Sequence, residues 1–229
     1  MNLGISIPMY NEEGNAERVI SRMMNHLDSL NISFVLAVVN NGSKDATGVV
    51  LDQLKERDER VIPIHLEQNQ GYGGGIQAGL KSLYAYKPEI IGWSWGDGQV
   101  CATSISSLYQ QCIAGADLAK TYRIERQDGY RRRVISYLYA MGMRRMGART
   151  PDINGCPKLF QWSFFEQLHL ESRDWFLDAE AILKTEKLGG SVHNEPAIME
   201  PRASGESKVG LWTLVEFAKN MAIWTFKRY

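Results

Sequence analysis

The chain has no excess charge of either sign, because 26 lysines and arginines are balanced by 26 aspartates and glutamates. It therefore has no global basic field of the kind that nucleic-acid-binding proteins use, and we expect no nucleic-acid partner. Cysteine is scarce, with only Cys101, Cys112 and Cys156 present and no metal-ligand spacing among them. An odd, widely spaced set argues against a disulfide framework and fits a reducing cytoplasm.

Long hydrophobic runs are also missing. No segment approaches the roughly 20 apolar residues that a membrane-spanning helix needs. The N-terminal segment lacks a basic region and has only a short apolar stretch, so we interpret it as a first strand rather than a secretion signal. The sequence thus predicts a cytoplasmic protein, either free or attached peripherally to the cytoplasmic face of a membrane. Its 229 residues, 44% of them hydrophobic, suffice for one large α/β domain with a sizeable core.

Apolar, β-branched stretches alternate with segments of helical periodicity over about the first half of the chain. The predicted strands are Leu3–Ile7, Phe34–Val39, Val61–Leu66, Ile90–Trp95 and Asp117–Thr121. This alternation is typical of an α/β fold with a mostly parallel sheet flanked by helices. A late strand is expected within Ser191–Met199. A final helix over Leu211–Phe226 has an unusually wide apolar face.

Four short motifs lie at strand ends or open a helix. They are Pro8–Glu12, Asn40–Ser43, Asn69–Gly75 and Trp95–Gln99. Taken singly, each has an ordinary interpretation as a helix cap, a turn or a flexible loop; Asn11, for example, is expected to cap the first helix. Ligand sites in open α/β sheets lie where the strands end, so the order of the motifs favours one shared binding edge.

Each motif offers its own chemistry. An acid between two glycines, as at Asp97, can hold a hard divalent cation that bridges phosphates, with Gln99 as a second oxygen ligand. The amide of Asn41 can both donate to and accept from a nucleobase. The glycines of the third motif allow a ligand to approach the backbone closely, and the helix N-terminus behind them favours anions.

In this order the motifs resemble those of family 2 glycosyltransferases with a GT-A fold, and within them the dolichol-phosphate mannosyltransferase-like group. That group reads Pro-x-Tyr-Asn-Glu, Asp-Asp-Gly-Ser, Asn-x-Gly-x-Gly-Ala, Asp-Ala-Asp-Gly-Gln, Gly-Ser-Arg and Arg-x-x-Gly-x-Ser-Lys. The matching stretches are Pro8–Glu12, Asn40–Ser43, Asn69–Gly74, Trp95–Gln99, Lys120–Arg123 and Arg202–Lys208. The resemblance implies a Rossmann-like GT-A sheet and an inverting hexosyltransferase. Such an enzyme uses a nucleoside diphosphate sugar and Mg²⁺ or Mn²⁺.

The resemblance also implies an organisation and a set of roles. Residues 1–208 would form the GT-A domain, with a donor half at 1–123 and an acceptor half at 124–208, and residues 209–229 would form a C-terminal amphipathic helix. Asp97 and Gln99 would hold the metal, and Asp97, Asp178 and Arg131 would be catalytic. The donor would be bound by residues of the motifs, namely Pro8, Tyr10, Glu12, Val39, Asn41, Trp95, Gly96, Asp97, Arg123, Arg202 and Lys208.

Two departures from the group's pattern remove negative charge near the expected cation and base. Trp95 stands where the group has the first acid of Asp-x-Asp, and Asn40 and Asn41 replace its Asp-Asp pair. Carboxylates supply much of the affinity for a hard cation, so the first change weakens the expected metal site. The second leaves the nucleobase open, because an asparagine can donate as well as accept.

Three features bear on the acceptor. Arg131–Arg133 with Arg144, Arg145 and Arg149 can bind a lipid phosphate or form an ordinary solvated helix face. The final helix suits a membrane interface, or packing on the protein's own core or on a second subunit. Asp178 and Glu180 form either a base for a hydroxyl acceptor or a solvated helix start.

The sequence therefore leaves three functions open. The first is sugar transfer to a polyprenyl phosphate, which connects the protein with cell-wall biogenesis. The second is transfer to a saccharide hydroxyl in surface polysaccharide or cell-wall glycan synthesis. The third is a nucleotide-sugar-binding protein without catalysis, which the changes at Trp95 and Asn41 suggest.

Overall fold

The structure is a computed structural model that describes residues 1–124, 130–200, 219–220 and 223–224. For residues 130–136 and 138 only the backbone is described. Strands and helices alternate through most of this part of the chain. In order they are β1 (Leu3–Met9), α1 (Glu13–Ser29), β2 (Phe34–Asn41), α2 (Thr47–Arg57), β3 (Val61–Leu66), α3 (Gly71–Leu83), β4 (Ile90–Trp93), α4 (Ala102–Ile113), β5 (Leu118–Arg123), α5 (Tyr130–Arg145), β6 (Lys158–Gln161), α6 (Trp162–Leu168), α7 (Leu177–Lys187) and β7 (Val192–Ala197).

The strands form one seven-stranded sheet in the order β3-β2-β1-β4-β6-β5-β7. β1 pairs in parallel with β2 and β4, and β5 pairs in parallel with β7. Only β6 is antiparallel to its two neighbours, β4 and β5. The predicted mostly parallel α/β sheet is confirmed. Because β6 belongs to the predicted acceptor half and lies between two strands of the donor half, the two halves share this sheet.

Successive side chains of the buried strands point to opposite faces of the sheet and pack into two core layers, one on each face. Phe34 and Leu36 of β2 join the layer formed with α1, α2 and α4, whereas Val35 and Ala37 join the layer formed with α3, α6 and α7. Burial on both faces explains why these strands are apolar almost without interruption. Gly79 lets α3 approach β1, because a Cβ there would lie 2.1 Å from the Ser6 hydroxyl oxygen.

The strand order places a topological switch point between β1 and β4, where ligands of open α/β sheets bind. The carboxyl ends of these two strands come very close together. A Cβ at Gly96, just after β4, would lie 2.6 Å from Met9 Cγ and 2.9 Å from the Pro8 carbonyl oxygen. The segments that follow both strands therefore meet at one edge of the sheet, as the motif order predicts.

Later elements depart from the predicted bounds in places. The strand expected at Asp117–Thr121 runs from Leu118 to Arg123, so it reaches the same edge of the sheet. Of the predicted final helix, only 219–220 and 223–224 lie within the described residues, and these are helical. Asn220 and Trp224 are buried, and the Trp224 ring packs on Phe176 with the centroids 5.3 Å apart. The domain boundary at residue 208 lies outside the described residues.

Among the helices of the described residues, none combines the length and the apolar character that crossing a bilayer requires.

Candidate active site

The loops that follow β1 and β2 are hydrogen-bonded to each other. The Lys44 amide donates to Asn11 Oδ1 at 2.9 Å, and the Asn11 amide donates to Ser43 Oγ at 3.0 Å. The Glu12 amide donates to Thr47 Oγ1 at 2.8 Å. Asn11 therefore does not cap α1 as expected; Glu12 occupies the cap position, without a side-chain capping bond. Asn11 instead joins the two loops, which fixes the first motif against the second.

Within the first motif, the Glu12 carboxylate is buried and oriented from α1. Asn15 Nδ2 donates to Glu12 Oε2 at 2.7 Å, and Arg18 Nη2 donates to Asn15 Oδ1 at 3.3 Å. Tyr10 is half-buried at the strand end. Neighbouring residues thus hold this segment in place. The nucleoside-binding roles of Pro8, Tyr10 and Glu12 stay predictions.

Asn41, at the end of β2, binds the glycine motif. Its Nδ2 donates to the Gly71 carbonyl at 2.9 Å and to Asn69 Oδ1 at 3.3 Å, while its Oδ1 accepts from the Gln70 amide at 2.9 Å. Both amide hydrogens thus have partners within the protein. An aspartate here could not donate to the Gly71 carbonyl, which explains why an asparagine suits this position better. Its base-reading role stays a prediction.

The glycine motif packs on the protein's own backbone. The Gly74 amide donates to the Arg173 carbonyl at 2.7 Å. A Cβ at Gly73 would lie 2.7 Å from the carbonyl oxygens of Ser172 and Asp174, and Gly71 has a φ of +79°. The close approach that these glycines allow is therefore to the segment before α7. In the first turn of α3, the Gly71 amide donates to Asn69 Oδ1 at 2.8 Å, so the amides of Gly71 and Gly74 are bonded within the protein rather than left for an anion.

The fourth motif forms a turn after β4. The Gln99 amide donates to Asp97 Oδ1 at 3.1 Å, and Gly98 lies in the left-handed region with a φ of +76°. The Glu200 amide donates to the Gln99 carbonyl at 3.0 Å, and Gln99 Nε2 donates to the Glu200 carbonyl at 3.3 Å. Glu200, which precedes Arg202 and Lys208 in the chain, is therefore bonded directly to this turn. Those two residues lie outside the described residues.

Asp97 and Gln99 suit a divalent cation only in combination with a substrate. The described residues contain no group of three or more histidine, cysteine or acidic side chains placed to hold a metal. Mg²⁺ is commonly held by one or two carboxylates together with substrate phosphates and water. One carboxylate and one amide oxygen fit that pattern, with a diphosphate supplying further oxygens.

Trp95, at the position of the missing acid, lies in an aromatic cluster. Its Nε1 donates to the Tyr72 hydroxyl at 3.0 Å, and the Tyr72 ring stacks on Trp175 with the centroids 4.3 Å apart. The Arg123 guanidinium lies 5.9 Å from the centre of the Trp95 ring. Asp152 fixes Arg123 with bonds of 2.8 Å to Nε and 2.6 Å to Nη2. Sequence reasoning missed Tyr72, whose signal was an aromatic residue within the glycine motif.

The two acids of the acceptor half are buried at the start of α7. Asp178 Oδ1 accepts from Lys158 Nζ at 2.6 Å and from Trp93 Nε1 at 3.2 Å. Glu180 accepts from two backbone amides of the segment before α7 at 2.7 and 2.8 Å, and from Lys184 Nζ at 2.7 Å. The alternative of a solvated helix start is wrong, because both carboxylates are covered. A role of Asp178 as a base stays a prediction.

Lys120, at the start of the Lys120–Arg123 stretch, is also fully buried, and sequence reasoning gave it no role. Its ammonium donates to the carbonyls of Thr121, Pro151 and Asp152 at 2.9–3.1 Å. Burial, assisted by the charge of nearby Lys158, lowers the pKa of Lys120 to about 7. The lysine connects β5 with the loop that carries Asp152, the partner of Arg123.

The sequence model of the family described as "Glycosyl transferase family 2" matches residues 5–168, more than half of the chain. The chain belongs to glycosyl transferase family 2. This match confirms the family that the motifs resemble.

Curated relatives of the chain include undecaprenyl-phosphate 4-deoxy-4-formamido-L-arabinose transferases. The undecaprenyl-phosphate 4-deoxy-4-formamido-L-arabinose transferase of Edwardsiella ictaluri is 26% identical over 216 residues, which is 93% of this chain and 64% of the relative. The transferase of that name from Shewanella sediminis is 28% identical over 155 residues, 67% of this chain and 46% of the relative. The chain therefore spans less than two thirds of the length of the curated relatives it matches.

Solved structures confirm the GT-A-type fold of this family 2 chain. Glucosyl-3-phosphoglycerate synthase from Mycobacterium tuberculosis in complex with phosphoglyceric acid superposes with a TM-score of 0.71 at 16% identity. The match covers 99% of this chain and 79% of that one. The same enzyme in complex with Mg²⁺ and uridine diphosphate gives a TM-score of 0.70 at 16% identity, with the same coverage.

In this family 2 chain the basic residues of the acceptor half lie on and after α5. Arg131 is in the first turn of α5, and its side chain lies outside the described residues. Arg144, Arg145 and Arg149 are exposed, whereas Met143, just before them, is fully buried. The helix therefore buries one face and presents arginines on the other. Whether that face meets a lipid phosphate stays a prediction.

Proposed function

We propose that the protein is an inverting glycosyltransferase that moves a sugar from a nucleoside diphosphate sugar to a polyprenyl phosphate. The observation that carries the choice of acceptor is the burial of Asp178 in an ion pair with Lys158. A carboxylate held in this way is poorly placed to take a proton from an acceptor hydroxyl. A phosphate acceptor is already ionised at neutral pH and needs no such base.

We place the donor at the carboxyl edge of the sheet, beside the switch point between β1 and β4. The contacts among the strand-end loops support this placement, because they hold the proposed nucleoside-binding motifs rigidly together. Preorganised groups lose little entropy when a ligand binds. In this proposal the nucleoside and diphosphate are bound by residues of several strand ends, namely Pro8, Tyr10, Glu12, Val39, Asn41, Trp95, Gly96, Asp97, Arg123, Arg202 and Lys208.

Asp97 and Gln99 would hold Mg²⁺ or Mn²⁺ together with the donor diphosphate. When bound, such an ion stabilises the negative charge that develops on the leaving diphosphate. Solved structures of glucosyl-3-phosphoglycerate synthase with the same fold contain Mn²⁺ and uridine diphosphate glucose, which supports a cation in this type of site.

The reaction itself needs few protein groups. An oxygen of the acceptor phosphate attacks the anomeric carbon from the side opposite the diphosphate. A new carbon–oxygen bond forms as the bond to the diphosphate breaks, so the configuration inverts. Arg123, Arg202 and Lys208 would bind the leaving nucleoside diphosphate, because preorganised positive charge is most effective where negative charge develops.

Two further lines support a lipid phosphate. The curated relatives are named for transfer to undecaprenyl phosphate. In this chain, exposed Arg144 and Arg145 share α5 with Tyr137 and Met141, which are 68% and 51% exposed. Arginines next to exposed apolar groups suit the surface of an anionic membrane, so we place the protein peripherally at its cytoplasmic face. Co-sedimentation with anionic vesicles that is unchanged in an Arg144→Glu, Arg145→Glu double variant would contradict this placement.

The donor site is tested by calorimetry with uridine, guanosine and cytidine diphosphates, each in magnesium, manganese and chelator. We expect one diphosphate to bind well and to require a cation. Asp97→Asn should remove the cation dependence, since Asp97 is the carboxylate of its motif. Asp52→Asn, which changes an exposed acid of α2, is the matched control and should bind as the wild type does. Equal affinity in all three media, retained by Asp97→Asn, would refute the metal site.

The acceptor is tested by comparing Arg131→Gln with Asp178→Asn in turnover, at a temperature at which both are shown to be folded. With a polyprenyl phosphate acceptor, the arginine variant should lose more activity. With a hydroxyl acceptor the order should reverse, because a positioned base contributes about a hundred- to ten-thousand-fold. Arg57→Gln, at an exposed ion pair of α2, controls for loss of a charge. Donor binding without turnover on either acceptor would indicate a binding protein that is not an enzyme.

A further inference from the structure

Tyr72 joins the donor turn to the segment before α7. Its hydroxyl oxygen accepts the Trp95 indole hydrogen at 3.0 Å, and its ring stacks on Trp175 with the centroids 4.3 Å apart. An indole nitrogen can only donate, so the tyrosine oxygen must be the acceptor in this bond. Trp175 thus fixes the tyrosine ring, and the tyrosine hydroxyl in turn fixes the Trp95 indole.

The buried acid of the acceptor half, Asp178, contributes to the electrostatic surroundings of Tyr72. Lys158 Nζ lies 2.6 Å from Asp178 Oδ1 and also donates to the Gly155 carbonyl at 2.6 Å. Trp93 Nε1 is a second donor to the carboxylate at 3.2 Å. Burial and the negative charge of Asp178 raise the pKa of Tyr72 well above its ordinary value, so the hydroxyl keeps its proton. Trp95 is therefore held by a neutral hydroxyl.

The Trp95 ring also makes a contact with Arg123. The guanidinium of Arg123 lies 5.9 Å from the centre of the Trp95 ring, a cation–π distance. Asp152 holds the same guanidinium by two bonds. The position of Arg123 is therefore set by Asp152 on one side and by the Trp95 ring on the other.

We propose that Tyr72 is a positioning residue of the donor site. It holds the Trp95 ring in place against the Arg123 guanidinium. Trp95 stands at the position where the related glycosyltransferases have an acid. This proposal rests on the proposed function, in which Arg123 binds the donor diphosphate. It goes beyond that function by assigning a role to a residue of the glycine motif and by stating which part of the donor depends on that residue for binding. Loss of the Tyr72 hydroxyl should weaken the binding of the β-phosphate and leave the binding of the nucleoside unchanged.

Tyr72→Phe removes the hydroxyl and retains the ring that stacks on Trp175. The matched control is Tyr109→Phe, because Tyr109 is a buried tyrosine of α4 in the core layer on the opposite face of the sheet. Each variant is titrated with the diphosphate that the wild type binds best and with the monophosphate of the same nucleoside. The indole N–H resonance of Trp95, assigned with Trp95→Phe, is followed by ¹⁵N NMR.

We expect Tyr72→Phe to weaken diphosphate binding roughly three- to tenfold, as the loss of one hydrogen bond would. Monophosphate binding should stay unchanged, and the Trp95 indole resonance should move upfield. Tyr109→Phe should change none of these. Should Tyr72→Phe fail to fold, Trp95→Phe removes the donor of the same bond and should show the same selective loss.

Unchanged diphosphate affinity in Tyr72→Phe would overturn the positioning role, even if the indole resonance moves. An equal loss for monophosphate and diphosphate would also overturn it, because that pattern reports general damage to the site. A wild type that binds none of the nucleotides would overturn the proposed function and this proposal with it. The two failures are thus distinguished by the wild-type titration.

Discussion

Replacing Lys158 by methionine should destabilise the protein severely. The lysine and Asp178 form an ion pair at 2.6 Å, with side chains that are 0% and 2% exposed. Removal of one partner of a buried pair costs about 3–5 kcal/mol, since it leaves an uncompensated charge in the interior. Globular proteins have only about 5–15 kcal/mol of total stability, so the loss is a large fraction of it. For a chain of this size the melting temperature should fall by roughly 6–20 °C.

A double variant shows whether charge is the cause. Lys158→Met combined with Asp178→Asn removes both charges but keeps an oxygen that can accept from Trp93. It should be more stable than Lys158→Met alone by about 1–3 kcal/mol, the usual size of coupling between contacting residues. Stability is measured by urea unfolding followed by tryptophan fluorescence.

The control for this pair is Arg57→Met, which breaks an ion pair with Glu17 whose side chains are 61% and 59% exposed. Exposed pairs contribute about 0–1 kcal/mol, so little change is expected. A loss below about 1 kcal/mol in Lys158→Met would show that the unpaired carboxylate costs little in the interior. So would a double variant that is less stable than Lys158→Met, because the remaining carboxylate would then not be the source of the loss.

Three further outcomes follow from buried contacts. An unfolded lysine stays protonated up to about pH 10.5, whereas folded Lys120 loses its proton above about pH 7. Stability should therefore rise by about 1.4 kcal/mol per pH unit above pH 7, relative to Lys120→Met, in urea unfolding between pH 7 and 8.5; parallel profiles would contradict this. Asn41→Asp places a carboxylate against the Gly71 carbonyl and should lower the unfolding free energy by about 1–3 kcal/mol, and an unchanged urea midpoint would count against the Asn41 contact. Gly73→Ala should cost about 1–3 kcal/mol through overpacking on Arg173, and a melting temperature equal to that of the wild type would show that the segment yields.

β1, β2 and β4 could be predicted because they are buried on both faces. Such strands are apolar almost throughout, and Pro8 and Asn40 lie one residue before the ends of β1 and β2. The common edge of the motifs followed from the same reasoning, since parallel strands align their carboxyl ends. The antiparallel insertion of β6 was not predictable, because four residues carry too little periodicity to indicate a direction.

The candidate site was predicted less completely, for a physical reason. Its partners are distant in sequence: Asn41 bonds to Gly71, and Gly74 bonds to Arg173. A glycine that is needed for a ligand and one that is needed for chain packing look the same in a sequence. The same holds for Asp178, since its burial depends on a pairing with Lys158, 20 residues away in the sequence. Residue types indicated the family, whereas only the packing shows which side chains are already engaged.

The proposed sugar transfer is tested most directly by product formation from a panel of nucleoside diphosphate sugars with a short-chain polyprenyl phosphate, followed by mass spectrometry. We expect a glycosylated lipid phosphate, with one nucleoside diphosphate released per product and inverted configuration at the anomeric carbon. Transfer to saccharide hydroxyls with no sugar-lipid formed from any donor would contradict it.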